Sequence, residues 1–215
     1  MQRLIVFAKE PRPGAVKTRL ARTLGDEPAA RLYDAFLHDT LDVCRAADLG
    51  LCVAFTPTHA TAWFGELAPD AVLMPQPEGD LGERLEAAVE AGFRLGSEGV
   101  LVTGSDLPHM EPADLERARR AVSMGRAALG PTSDGGFWLV GLPRAVPGLF
   151  DRIPWSTERV LGRMLDHLER EGLEIVRLST TFDIDVAADL ERLRAHLAAL
   201  PPERCPHTRA ALAPA

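Results

Sequence analysis

The 215-residue chain contains no apolar stretch near the ~20 residues that a membrane-crossing helix needs. Its first apolar run, 4–8, is followed at once by Lys9 and Glu10 with no small-residue cleavage site, so it reads as a strand and not as a signal peptide. Cysteine is scarce. Cys44, Cys52 and Cys205 form no CxxC spacing and make an odd count, which excludes a disulfide framework and a cysteine-based zinc site. They read as reduced thiols of a cytoplasmic protein. A basic excess is also missing. With 24 Lys and Arg against 31 Asp and Glu, the formal charge is −7, so nucleic acid is not an expected partner, and no membrane is either. A small phosphorylated ligand would need only a local basic pocket. There is no GxxxxGK[ST] loop, no GxGxxG and no Gly-x-Ser-x-Gly, and the six histidines lack metal-ligand spacing. No internal repeat or long linker divides the chain. Residues 1–200 are expected to form one domain, with 201–215 as a Pro- and Ala-rich tail, frayed or loosely docked.

What is present is alternation. Strand-like runs at 4–8, 51–56, 71–74, 100–103, 127–131, 137–142 and 173–178 alternate with helical spacing at 26–47, 60–67, 81–95, 112–122, 157–171 and 186–200. Repeated strand–helix units imply a mostly parallel sheet covered on both faces.

Chemistry-bearing residues gather where these strands end. Val100-Leu101-Val102-Thr103 runs into Gly104-Ser105-Asp106-Leu107-Pro108, which puts a carboxylate at the carboxyl end of a buried strand, where open α/β sheets bind ligands. Asp106 there is either a turn former or helix cap, or a metal ligand. After the first strand, Lys9, Arg12, Lys17 and Arg19 surround Pro13-Gly14. That is a turn with free backbone N–H groups among four cations, suited to phosphate oxygens. Gln76, Gly79 and Gly82 follow the third strand, where an amide could pair with a base edge and glycines admit a flat ring. Asp134-Gly135-Gly136 is either a plain hairpin turn or an acceptor-side loop in which Asp134 binds a hydroxyl. Trp155 is either a platform or core, and Ser156 or Thr157 is the expected N-cap of the next helix. Asp183 and Asp185 are alternate residues of an extended segment, so their carboxylates point to one side. Asp185 could also cap the last helix. With Asp106, the pair could hold a magnesium ion, which favours a few carboxylates plus substrate phosphates.

Taken in order, Phe-Ala-Lys-x-Pro-x-Pro-Gly-x-Val-Lys-Thr-Arg-Leu, Gln-x-x-Gly-Asp-Leu-Gly-Glu-Arg, Gly-Ser-Asp-Leu-Pro, Gly-Pro-x-x-Asp-Gly-Gly-Phe-Trp-Leu, Trp-Ser-Thr and the late Asp-Ile-Asp resemble the radical-SAM/selenodomain-associated, or arsenosugar-biosynthesis, glycosyltransferase family. The match runs from Leu4 to about Leu200. The resemblance implies a nucleotide-diphospho-sugar transferase fold: a glycosyltransferase-A-like α/β/α sandwich with a mostly parallel sheet. It implies a transferase that uses magnesium or manganese and moves a sugar from a nucleotide sugar to a small-molecule acceptor. The alternative is a guanylyltransferase-like nucleotidyltransferase that takes an NTP and releases pyrophosphate. In either case Lys17, Arg19 and Asp106 would carry the chemistry. Lys9, Gly14, Gln76, Gly79 and Gly82 would join Lys17 and Arg19 in binding the nucleotide. Asp134, Gly135, Gly136 and Trp155 would face the acceptor, and Asp106, Asp183 and Asp185 would hold the metal. Where many glycosyltransferases of this fold carry Asp-x-Asp, this chain has Gly104-Ser105-Asp106.

Overall fold

The computed structural model describes residues 1–213. Seven strands form one sheet in the order β3-β2-β1-β4-β6-β5-β7. They are β1 (Arg3–Lys9), β2 (Gly50–Thr56), β3 (Val72–Pro75), β4 (Val100–Gly104), β5 (Ala127–Pro131), β6 (Phe137–Leu142) and β7 (Ile175–Arg177). β1, β2, β3 and β4 pair in parallel, as do β5 and β7, and only β6 runs antiparallel to its neighbours. The sheet is therefore the mostly parallel one that the alternation implies, and helices cover both of its faces.

Period-two alternation divides the strands between two cores. Leu4, Val6, Leu101 and Leu139 face one layer, which is completed by Leu37 and Leu41 of α2 (Asp26–Arg45), Phe64 of α3 (Thr61–Leu67) and Leu115 of α5 (Pro112–Ser123). Ile5, Val102 and Val140 face the other, against Leu85 and Val89 of α4 (Leu81–Arg94) and Met164 and Leu168 of α6 (Val160–Arg170). A third apolar cluster stands beside the sheet. It joins Leu20 of α1 (Thr18–Leu24), Phe36 of α2, Phe182, Ile184, and Leu190 and Leu193 of α7 (Ala187–Ala199).

Three expectations change. The basic loop is shorter than its sequence suggests, because α1 begins at Thr18 directly after it. The sixth helix starts at Val160 rather than 157, and neither Ser156 nor Thr157 is its N-cap. Thr157 Oγ1 donates to Pro154 O at 2.7 Å and accepts from Arg159 N, which closes a turn ahead of the helix and so delays it. The described part of the tail, residues 201–213, is not loose, and 214–215 lie outside the described residues. α8 (Pro206–Leu212) lies on α2, and both oxygens of Asp39 accept from its first turn, from His207 N at 3.1 Å and Thr208 N at 2.7 Å. Asp39 acts as an N-cap supplied by another helix, a carboxylate at the positive end of the α8 dipole. Thr208 and Cys205 are buried beneath it.

Candidate active site

After β1 the chain crosses to β2 and β3 on one side, then returns to lay β4 on the other side of β1. The crevice beyond the carboxyl ends of β1 and β4 is thus the topological switch point, where doubly wound sheets take their ligands. A cleft with two adjoining lobes opens there. The first, of about 580 Å³, is lined by the β1 end at Phe7 to Lys9, by Lys17, Arg19, Gln76 and Arg84, and by the β4 end at Gly104 to Asp106. The second, of about 490 Å³, is lined by Asp134, Gly136, Phe137, Trp155, Glu158 and Asp183, among others. Phe7, Arg19, Leu81, Gly104 and Asp185 belong to both.

Lys17 lines the first lobe and reaches Asp185, which belongs to both. Gly14, at φ +74°, turns the loop back towards the sheet, and Lys17 itself adopts φ 46°, ψ 41° as it enters α1. This left-handed conformation is uncommon for a residue with a side chain. It sends the butylammonium inward, so that only 3% of the side chain is exposed. Nζ lies 3.1 Å from Asp106 Oδ2 and 3.0 Å from Asp185 Oδ1. Burial works against its charge, but the two carboxylates outweigh that, and the ammonium is held above its usual pKa.

Asp106 is neither a turn former alone nor a cap. Glu111 occupies the N-cap position of α5, while the Asp106 carboxylate turns to Lys17. Its Oδ1 is buried and has no partner. Beneath it, Ser105 Oγ meets Tyr33 Oη at 2.7 Å, and Tyr33 Oη also accepts from Lys9 N at 2.9 Å. The single tyrosine of the chain thereby pins the ends of β1 and β4 together from α2. Sequence reasoning did not single out Tyr33. Its signal was a hydroxyl-bearing aromatic among the apolar positions of an amphipathic helix.

Asp183 and Asp185 do share a side, because Ile184 between them is buried in the third apolar cluster. Asp185 does not cap α7 with its carboxylate. Asp189 Oδ2 accepts from the backbone N–H groups of Asp185 and Val186 at 2.9 and 2.8 Å, which leaves the Asp185 side chain for Lys17. Burial, and then the charges of Asp106 and Asp134, push the Asp183 carboxyl up to about 7. The three aspartates do not close around one point. Among the described residues, the one trio of candidate metal-ligand side chains with ligand atoms within 4.8 Å is Asp39, Asp42 and His207, at the α2–α8 contact and outside the cleft. Even so, the buried unpartnered Oδ1 of Asp106 and the crowded charges beside Asp183 fit a divalent cation joined by substrate oxygens.

Of the expected nucleotide contacts, Lys9, Lys17, Arg19 and Gln76 line the first lobe. Gln76 is buried, and its Nε2 donates to Ala54 O at 2.8 Å. Gly14, Gly79 and Gly82, expected to bind the nucleotide, do not line this lobe: Gly14 and Gly79 are exposed and Gly82 is buried. Gly79, at φ +132°, precedes the Asp80–Glu83 capping box that starts α4, and a Cβ on Gly82 would stand 2.9 Å from Phe150 O. In the second lobe the hairpin reading and the site reading of residues 134–136 both hold. They connect β5 to β6, and Asp134 and Gly136 also line the cavity. Gly135 does not line it, but a Cβ there would collide with the backbone of Glu158, so its absence lets the hairpin tip seat against that residue. Trp155 walls the lobe beside Phe137, ring centroids 6.2 Å apart. Arg84, whose Nε donates to Gly79 O at 3.0 Å, and Glu158 are lining residues that the sequence reading left aside.

No helix among the described residues is long and apolar enough to cross a membrane. In architecture the chain is similar to a protein of Desulfovibrio desulfuricans G20 provisionally assigned as a nucleotide-diphospho-sugar transferase. The two are 30% identical over 98% of this chain and 93% of that one, with a TM-score of 0.91. Two more distant structures share the fold. One is Rv0371c of Mycobacterium tuberculosis H37Rv, solved in complex with manganese, at 18% identity, 93% and 99% coverage and TM-score 0.59. The other is a CMP:2-keto-3-deoxy-manno-octonic acid synthetase complexed with CTP, at 14% identity, 92% and 98% coverage and TM-score 0.52. Residues 40–157 match the profile of DUF2064, described as an uncharacterized protein conserved in bacteria. On that match, which covers more than half of its length, the chain belongs to the DUF2064 family.

Proposed function

We propose that the chain is a metal-dependent glycosyltransferase that moves a sugar from a nucleotide-diphospho-sugar to a small hydroxyl acceptor. The observation that carries this reading is the division of one switch-point cleft into a lobe edged by Lys9, Lys17, Arg19 and Arg84 and a lobe edged by carboxylates and aromatics, with Arg19 and Asp185 common to both and Lys17 bridging Asp106 and Asp185 in the first. The resemblance to the Desulfovibrio protein supports the same class.

The basic lobe would take the diphosphate, with Lys17 and Arg19 countering the charge that grows on it as the sugar departs. Gln76 would meet the base or ribose from the wall of this lobe, while Gly79 and Gly82, which do not line it, would act through the start of α4. Asp106, with Asp183 or Asp185, would hold magnesium or manganese, which supplies Lewis-acid neutralisation of the leaving diphosphate. In the transfer, the acceptor oxygen bonds to the anomeric carbon. The bond from that carbon to the diphosphate breaks, and its electron pair leaves on the diphosphate. With Asp185 completing the metal site, the hydroxyl proton passes to Asp183, whose carboxyl burial and the charges of Asp106 and Asp134 raise to about 7.

The four cations of the first lobe would also suit a triphosphate, which keeps nucleotidyl transfer from an NTP as the second reading. Calorimetry with sugar nucleotides and NTPs, each with and without magnesium, separates the two. The expected result is magnesium-dependent binding of a sugar nucleotide and release of a nucleoside diphosphate without pyrophosphate. Binding of NTPs alone, with pyrophosphate on turnover, overturns it. Asp106→Asn should abolish the magnesium dependence with the circular dichroism unchanged.

A further inference from the structure

We propose that the second lobe takes an alcohol without an anionic group, held on the Trp155–Phe137 wall, and rejects acceptors that carry phosphate or carboxylate. The inference rests on the transferase reading and adds the substrate class of its second site. It starts from the signs of the charges. The ionisable side chains that line this lobe are Asp134, Glu158, Asp183, Asp185 and Arg19. Arg19 also edges the basic lobe, where it faces the diphosphate, Asp185 is paired with Lys17 and Asp183 lies beside the metal site, so the charges left to meet an acceptor are the carboxylates of Asp134 and Glu158. In the basic lobe the balance is reversed, with Lys9, Lys17, Arg19 and Arg84 against Asp106 and Asp185.

An incoming phosphate ester would meet the Asp134 and Glu158 carboxylates in a cleft partly shielded from water, where like charges repel more strongly than in bulk solvent. A hydroxyl donates to carboxylates, and an ammonium pairs with them. The geometry of the hairpin agrees. Asp134 is held by Thr132 Oγ1 and Gly136 N, which fixes one carboxylate at the lobe's edge as a ready acceptor. Opposite, Phe137 and Trp155 are half-buried, tilted at 57°, and offer apolar ring surface. Sugar and other polyol rings pair such a surface, through their C–H faces, with hydroxyl contacts at the edge. A lobe of about 490 Å³ accommodates a molecule of one or two rings.

The test uses three probes that share one aromatic glycoside and differ only in charge: 4-nitrophenyl glucoside, its 6-amino-6-deoxy form and its 6-phosphate. Calorimetry on the full chain measures binding, and nucleoside diphosphate release measures transfer from whichever sugar nucleotide binds. The neutral and amino probes should bind at least ten-fold more tightly than the phosphate, and Asp134→Asn with Glu158→Gln should narrow that gap. Trp155→Ala should weaken the neutral probe and leave sugar-nucleotide binding unchanged. Preference for the phosphate ester, equal binding of all three, or binding of none overturns the inference. The transferase reading fails separately, if no sugar nucleotide is bound or consumed.

Discussion

Lys17 is where the residue scale decides the most. Its ammonium is buried between two carboxylates that are themselves about half exposed, at 41% and 48%. Losing one partner of a fully buried pair costs ~3–5 kcal/mol, but solvent at Asp106 and Asp185 screens much of what would be left. Lys17→Met should therefore destabilise the chain by about 1–2 kcal/mol in urea denaturation, and it should also abolish sugar-nucleotide binding. Asp183 makes a prediction about pH. Its carboxyl is raised from an ordinary 3.8 to about 7, so the folded state holds the proton that the unfolded chain releases. Its stabilising contribution is present in full below about pH 4 and is lost as pH rises through about 7. Asp183→Asn should remove that slope and raise stability at pH 8 by on the order of 2 kcal/mol. A pair of urea titrations at pH 5 and pH 8 checks it, and equal slopes for both proteins would contradict it. At this scale the sequence showed which residues carry charge at the strand ends. The chain alone did not show that Lys17 turns inward to bridge two aspartates, because that depends on one left-handed residue and on contacts 89 and 168 positions away.

Among the elements, α8 shows how a local reading fails. Seven residues rich in alanine and headed by proline have no internal reason to be helical in water, since helix nucleation is costly. What holds them is Asp39, which caps the helix from 168 and 169 positions earlier, together with the buried Thr208 and Cys205. Asp39→Ala should cost about 1–2 kcal/mol and leave the Thr208 amide unprotected in hydrogen exchange, while amides of β1 stay protected. The strands were legible for the opposite reason. β1 and β4 lie at the centre of the sheet, and their near-continuous apolar runs need no distant partner to be recognised. Gly135 belongs here too. Gly135→Ala would place a methyl against the backbone of Glu158 at a φ of +88°, which a side chain seldom adopts. The hairpin tip should then lift from Glu158. The expected outcome is a higher acceptor KM with little change in sugar-nucleotide affinity, measured by steady-state kinetics.

For the whole molecule, alternation of strand and helix implied the parallel sheet, and the sheet order places the cleft at the carboxyl ends of β1 and β4. Neither lobe was visible as a shape from the sequence. Both draw on segments separated by more than a hundred residues, and only folding sorts the cations into one lobe and the carboxylates into the other. A chain of formal charge −7 repels anions at long range, so its basic lobe must act at short range. Raising salt from about 50 to about 500 mM should weaken nucleoside diphosphate binding roughly ten-fold by calorimetry, through screening of those contacts.

Ile184 and Leu20 pack into the same apolar cluster, one residue before Asp185 and three residues after Lys17. That cluster, shared by α1, α7 and the segment between β7 and α7, also takes Phe36 of α2, the helix whose Leu37 and Leu41 pack in the layer on the sheet. The 3.0 Å contact to Asp185 closes within this corner of the molecule, and the 3.1 Å contact to Asp106 ties it to the segment that leaves β4. The ammonium is a rivet driven through both.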